Sequence, residues 1–219
     1  SRVSVILGTS DQRFQIPNAR GQTDGGLGLT VNGISSYPSE RINENQTEIT
    51  HYGVVSYLHT DDKFTGQLSV FARYSNLKFT PDPLPDLLYN GVSQTADKSD
   101  IAGGFQAEGV YHLNDSHTVR AGAIVQIDRS TSATTSQVAL INNDPSDPDF
   151  GNQIGTRPFT IVDNGARTAQ TYSAYLQDEW KLLETVTVNY GLRFDQFNGF
   201  RAENQISPRI NAVWMMTPT

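Results

Sequence analysis

Two alternating runs joined by a very short connection, Tyr172 to Asp195 (YSAYLQDEWKLLETVTVNYGLRFD), constrain the fold of this chain more than any other stretch. In the second run Val186, Val188, Tyr190, Leu192 and Phe194 share one parity, and Thr187, Asn189, Gly191, Arg193 and Asp195 share the other. Successive strand residues point to opposite faces, so this is a β-strand with one apolar and one polar wall. The first run sets Tyr172, Ala174, Leu176 and Trp180 against Ser173, Tyr175, Gln177 and Glu179, with Asp178 a polar intruder on the apolar side. The Leu182 to Thr185 connection is tight, which makes the two runs antiparallel neighbours. A soluble sandwich could contain such a hairpin too. The distinction lies in whether the pattern repeats and how the connection lengths are distributed.

It repeats along the chain. Arg2 to Thr9 alternates with Val3, Val5 and Leu7 on one face. A polar, glycine-rich segment from about Pro17 to Asn45 follows, too long for an ordinary strand connection. Thr47 to Leu58 is a second strand whose faces the sequence does not assign, because Tyr52, Val54 and Leu58 oppose Ile49, Val55 and Tyr57. After the turn-like His59 to Lys63, Phe64 to Ser75 sets Phe64, Gly66, Leu68, Val70, Ala72 and Tyr74 against Thr65, Gln67, Ser69, Phe71 and Arg73. Its apolar face carries an aromatic ring at each end, as expected where a strand meets two bilayer interfaces.

Pro81 to Asp100 reads as a second long loop, and Ile101 to Leu113 and Thr118 to Arg129 as strands joined by the tight turn Asn114 to His117. Thr131 to Arg167 is the longest connection. Past the hairpin, Asn198 to Asn204 leads to a last strand, Ile206 to Met215. The expectation is eight strands with alternating long and short connections, the tight turns at one end and the long loops at the other. That segregation is characteristic of outer-membrane barrels. Strands of about ten residues also match a tilted membrane span. The sequence therefore predicts an all-β fold: an antiparallel transmembrane β-barrel segment of about eight strands, forming an open curved sheet when taken alone.

Composition sets limits but does not decide. Only 37% of the residues are apolar, and no run reaches the ~18 apolar residues of a spanning helix. The mean hydropathy of -0.43 does not exclude a membrane barrel, in which only alternate strand residues meet lipid. A net charge of -7 with scattered Lys and Arg argues against a nucleic-acid surface. The chain has no cysteine, so disulfides and thiolate metal sites are ruled out.

The run SAYLQDEWKLLETVTVNYGLRFD followed by ISPRINAVW resembles the central barrel of TonB-dependent receptors of Gram-negative outer membranes, and RVSVILGTSDQRFQIPN is similar to another stretch of the same barrels. The resemblance implies a transport receptor and no enzyme. It further implies uptake of a scarce ligand, foremost a ferric siderophore, and coupling to the TonB-ExbB-ExbD complex through a plug domain. Members have a 22-stranded barrel behind that plug, so residues 1–219 are expected to form part of the barrel, with the plug and carboxy-terminal strands outside this stretch. Thr217, Pro218 and Thr219 read as a turn-like ending where the family usually closes on an aromatic residue. The alternative is a complete small eight-stranded barrel with a structural or adhesion role.

No catalytic constellation, cofactor motif or metal site emerges. His51, His59, His112 and His117 are scattered without metal-ligand spacing. Asp144, Asp147 and Asp149 lack the spacing of a calcium loop and read as a solvated external loop. Gly25, Gly26 and Gly28 do not form a dinucleotide fingerprint. The candidate ligand or lumen residues are Arg73, Asp128, Arg193, Asp195 and Arg209, all of polar parity and expected near the loop ends of their strands. Arginines there would attract an anionic ligand; the plainer expectation is that these groups form salt bridges across the lumen or meet the plug.

Overall fold

A computed structural model describes residues 1–216, so Thr217, Pro218 and Thr219 lie outside it. Eight strands form one antiparallel sheet in strict chain order. They are β1 (Arg2–Gln15), β2 (Asn45–Thr60), β3 (Phe64–Thr80), β4 (Val92–His112), β5 (His117–Val138), β6 (Phe159–Leu183), β7 (Val186–Asn198) and β8 (Ala202–Trp214). Each pairs with its sequence neighbours, and among the described residues the sheet does not close: β1 pairs only with β2, and β8 only with β7.

The register carries one apolar face across the whole sheet. Val5 is opposite Val55, Val55 opposite Val70, and Val70 opposite Phe105; further along, Ala121 meets Leu176, Leu176 meets Leu192, and Tyr190 meets Ile210. This settles β2, whose own pattern was ambiguous. Gly53, Val55 and Tyr57 join the apolar face because their partners in β1 and β3 do. Tyr52 goes to the polar face, where its ring lies over Gly8 of β1; a Cβ at Gly8 would sit 2.3 Å from that ring. Tyr175 covers Gly122 in the same way, at 2.4 Å. At these two positions glycine is what lets a large ring lie flat across the neighbouring strand.

The apolar face has no core behind it. Leu7 is 78% exposed, Leu176 58% and Ile210 80%. Its polar intruder is accommodated: Asp178 Oδ2 is within 2.6 Å of His117 Nδ1 and accepts from the Tyr190 hydroxyl at 2.8 Å, while His117 stacks on Trp180 with ring centres 5.7 Å apart.

The tight turns are built by side-chain acceptors. Asp61 Oδ1 accepts from the N–H groups of Lys63 (3.0 Å) and Phe64 (2.8 Å), which hold its carboxyl below the ordinary range. Asn114 Oδ1 takes the N–H groups of Ser116 and His117, both at 2.9 Å.

Strand boundaries depart from the sequence expectation on the loop side. β3 runs to Thr80, β4 begins at Val92 and β5 continues to Val138, so much of the expected loops is strand. The reason is visible in Ser130 to Gln137: Ser and Thr on both parities suit an extended backbone yet give no apolar face to read. The second loop also contains a helix, α1 (Pro83–Asn90), with Pro at its start and Gly91 in the left-handed conformation (φ 72°) at its end. The expected alternation fails at the last connection, which is only Gly199 to Arg201.

The remaining three long loops fold together into a cap. Leu87 and Leu88 of α1, each 1% exposed, pack with Val31 of the first loop, flanked by Tyr37, Leu84 and Tyr89. Tyr89 donates its hydroxyl to the Tyr37 carbonyl at 2.8 Å. Gln153 of the third loop clamps Thr30, accepting its N–H and donating to its carbonyl, both at 2.8 Å.

Candidate functional site

All five candidates from the sequence occupy the polar face. They fall into two groups on that face. In the first, Arg73 of β3 donates to Asp100 of β4 at 2.7 Å, and Ser130 of β5 donates to the other oxygen of Asp100 at 2.7 Å. Asp128 lies two residues before Ser130 on β5 and accepts from Gln126 Nε2 at 2.8 Å. Because β3 continues to Thr80 and β5 to Val138, Arg73 and Asp128 sit well inside their strands, away from the loop ends where the sequence put them.

A groove of about 640 Å³ opens next to this group, lined by Glu48, Ser75, Lys98, Asp100, Ser130 and Arg167. Lys98, Asp100, Ser130 and Arg167 were not singled out from the sequence. Their region read as loop, and only a parity count carried past Ile101 and Arg129 would have found them.

The second group is at the hairpin. Arg193 and Asp195, two residues apart on β7, form a bidentate pair through Nε (2.9 Å) and Nη2 (2.8 Å), and Ser173 of β6 donates to the same carboxylate. Arg120 of β5 reaches Glu179 of β6 at 3.3 Å. Arg120, Tyr175, Gln177, Arg193 and Arg209 surround a cavity of about 220 Å³. Among the described residues Arg209 has no ion-pair partner within 4 Å, whereas Arg73, Arg120 and Arg193 all do. Three of the arginines on the polar wall are thus neutralised, while among the described residues Arg209 beside the second cavity, like Lys98 and Arg167 beside the first, forms no ion pair. An anion entering the second cavity would meet the Arg209 guanidinium without first breaking an ion pair.

The remaining sequence candidates resolve locally. Asp144 and Asp147 accept backbone N–H groups two residues on, at 2.9 and 2.8 Å, which makes them turn formers. Among the described residues no group of three or more His, Cys, Asp or Glu side chains is arranged to hold a metal ion. His51 and His112 hydrogen-bond the hydroxyls of Thr9 and Thr118.

The same sheet occurs in known structures. The ferric yersiniabactin uptake receptor FyuA from Yersinia pestis superposes with a TM-score of 0.62 over 98% of this chain at 14% identity. The match takes up 32% of the FyuA chain, so this chain spans about a third of its length. The siderophore receptor PiuA from Acinetobacter baumannii aligns over 96% of this chain and 36% of its own, at 15% identity and a TM-score of 0.44, too low to bear on the fold. No curated protein sequence matches the chain. The sequence model of one family, described as TonB dependent receptor-like, beta-barrel, matches residues 5–219, and the chain therefore belongs to the β-barrel family of TonB-dependent receptors.

Proposed function

We propose that this chain is part of the barrel wall of an outer-membrane receptor of a Gram-negative bacterium, one that takes up a ferric siderophore with energy delivered through the TonB-ExbB-ExbD complex. The observation that carries the reading is the family match over residues 5–219 on a sheet whose two faces differ so completely. On this reading the exposed apolar face meets outer-membrane lipid, and the ion-paired face lines a water-filled lumen. The unpaired outer edges of β1 and β8 would join further strands, because an open sheet edge is not tolerated in a bilayer. The plug that contacts TonB would fill the lumen from outside this stretch. The alternative of a complete eight-stranded barrel requires β1 to pair with β8, and they do not pair.

A ferric siderophore fits the lumen chemistry in one respect: an anionic iron complex would find Arg209 uncommitted. In the intact receptor, Arg193→Ala combined with Arg209→Ala should weaken binding of the ferric complex by at least roughly tenfold, the scale of one charge-assisted hydrogen bond. Unchanged affinity in a receptor that still assembles would remove these arginines from the ligand's path.

A further inference from the structure

The acidic intruder of the apolar face, Asp178, has surroundings that describe a partner. Its row crosses the sheet from Phe64 of β3 through Tyr111 of β4 and Val119 of β5 to Asp178 of β6 and Tyr190 of β7. Trp180 stands two residues on, opposite His117, the first residue of β5, and the stacked pair closes the cluster on its turn side. Aromatic rings gathered next to the tight turns mark the level at which a barrel meets lipid head groups. On the reading that the apolar face meets lipid, the Asp178 carboxylate therefore lies among head groups and not among hydrocarbon tails.

That carboxylate is only half satisfied. His117 Nδ1 and the Tyr190 hydroxyl both engage Oδ2, and Oδ1 is without a donor. The Asp178 side chain keeps 13% of its surface open and borders a groove of about 920 Å³, lined mostly by residues of the apolar face. The groove climbs from Asp178 and Tyr190 past Leu192 to Ala174 and Phe194, four residues along β7 and so roughly 13 Å. Short side chains make it: Ala174 is opposite Phe194, and Pro208 is opposite Leu192. An apolar channel with a carboxylate at its foot suits a molecule with a hydrocarbon tail and a cationic head.

The neighbouring turns select the sign of that head. The three connections at this end carry Asp61, Asp62, Asp115 and Glu184 against the single Lys63. An anionic head group would be repelled there. An ammonium would be attracted, and it has the N–H donors that the carboxylate still lacks.

We propose that this end of the apolar face holds one phospholipid with a primary ammonium head group, which donates to Asp178 while an acyl chain lies in the groove. The site rests on the lipid-facing reading above and is independent of which ligand the receptor carries.

The test is native mass spectrometry of the full receptor, offered equal amounts of phosphatidylethanolamine, phosphatidylcholine and phosphatidylglycerol with the same acyl chains. The wild type should retain phosphatidylethanolamine over the other two by roughly tenfold, the scale of one charge-assisted hydrogen bond. Phosphatidylcholine keeps the positive charge but has no N–H to donate, and phosphatidylglycerol is an anion. Asp178→Asn, which removes the charge and keeps the size, should abolish the preference. Leu192→Trp, which fills the groove and leaves Asp178 in place, should abolish it as well, and serves if the first variant does not assemble. Either competing lipid retained as well as phosphatidylethanolamine, or a preference unchanged by either variant, overturns the site and leaves the lipid-facing reading standing. Retention of none of the three by the wild type would overturn the site together with that reading.

Discussion

The sheet and the cap are stabilised in opposite ways. In the cap, Leu87, Leu88 and Val31 turn inward and leave water, as in any soluble core. In the sheet the large apolar residues turn outward, and only small residues such as Ser69 and Ala102 are buried. The cap therefore has a core that water stabilises, while the sheet, on the proposed reading, would need an apolar medium outside it. On the proposed reading the chain would change solvent where its strands leave the two-faced pattern, at about Asp100 and Ser130; beyond those points β4 and β5 run on with mostly small and polar residues on both faces.

That contrast predicts separable failures. The largest effect should come from Leu87→Ala, which would remove about 2–5 kcal/mol from the cap. Exchange protection at Tyr37 and Gly91 should collapse while the sheet stays assembled; loss of the whole barrel would mean that cap and sheet are one cooperative unit. Somewhat smaller, at about 2–4 kcal/mol for a charge near the bilayer midplane, is the cost of Val70→Arg on the apolar face. It should reduce the assembled, heat-modifiable fraction in the outer membrane and leave the cap untouched. A barrel that tolerates arginine there would show that this face does not meet lipid.

The sequence was informative where the two faces differ and silent where they do not. Val186 to Asp195 could be read residue by residue, because apolar and polar positions alternate without a break. The turns at Asp61 and Asn114 were legible for the same local reason, a side-chain acceptor at the start of a tight turn. β2 was not, since both its parities carry Tyr and Val, and only pairing with β1 and β3 decides between them. The loop-side extensions of β3, β4 and β5 went unread because there the strands lose their apolar wall and look like loop. Of the site, the polar parity of Arg73, Asp128, Arg193, Asp195 and Arg209 was visible. Their partners across strands were not, because Asp100 opposite Ser75, or Ser173 opposite Asp195, depends on register.

The claim that one face meets lipid and the other water can be tested directly, because the chain has no cysteine of its own. Single cysteines at neighbouring positions, Leu192→Cys on the apolar face and Arg193→Cys on the polar face, would be placed in the receptor in its native membrane and exposed to a water-soluble maleimide. The account predicts that the cysteine at 193 labels and the one at 192 does not until the membrane is dissolved. Equal labelling of both positions in the intact membrane would contradict it.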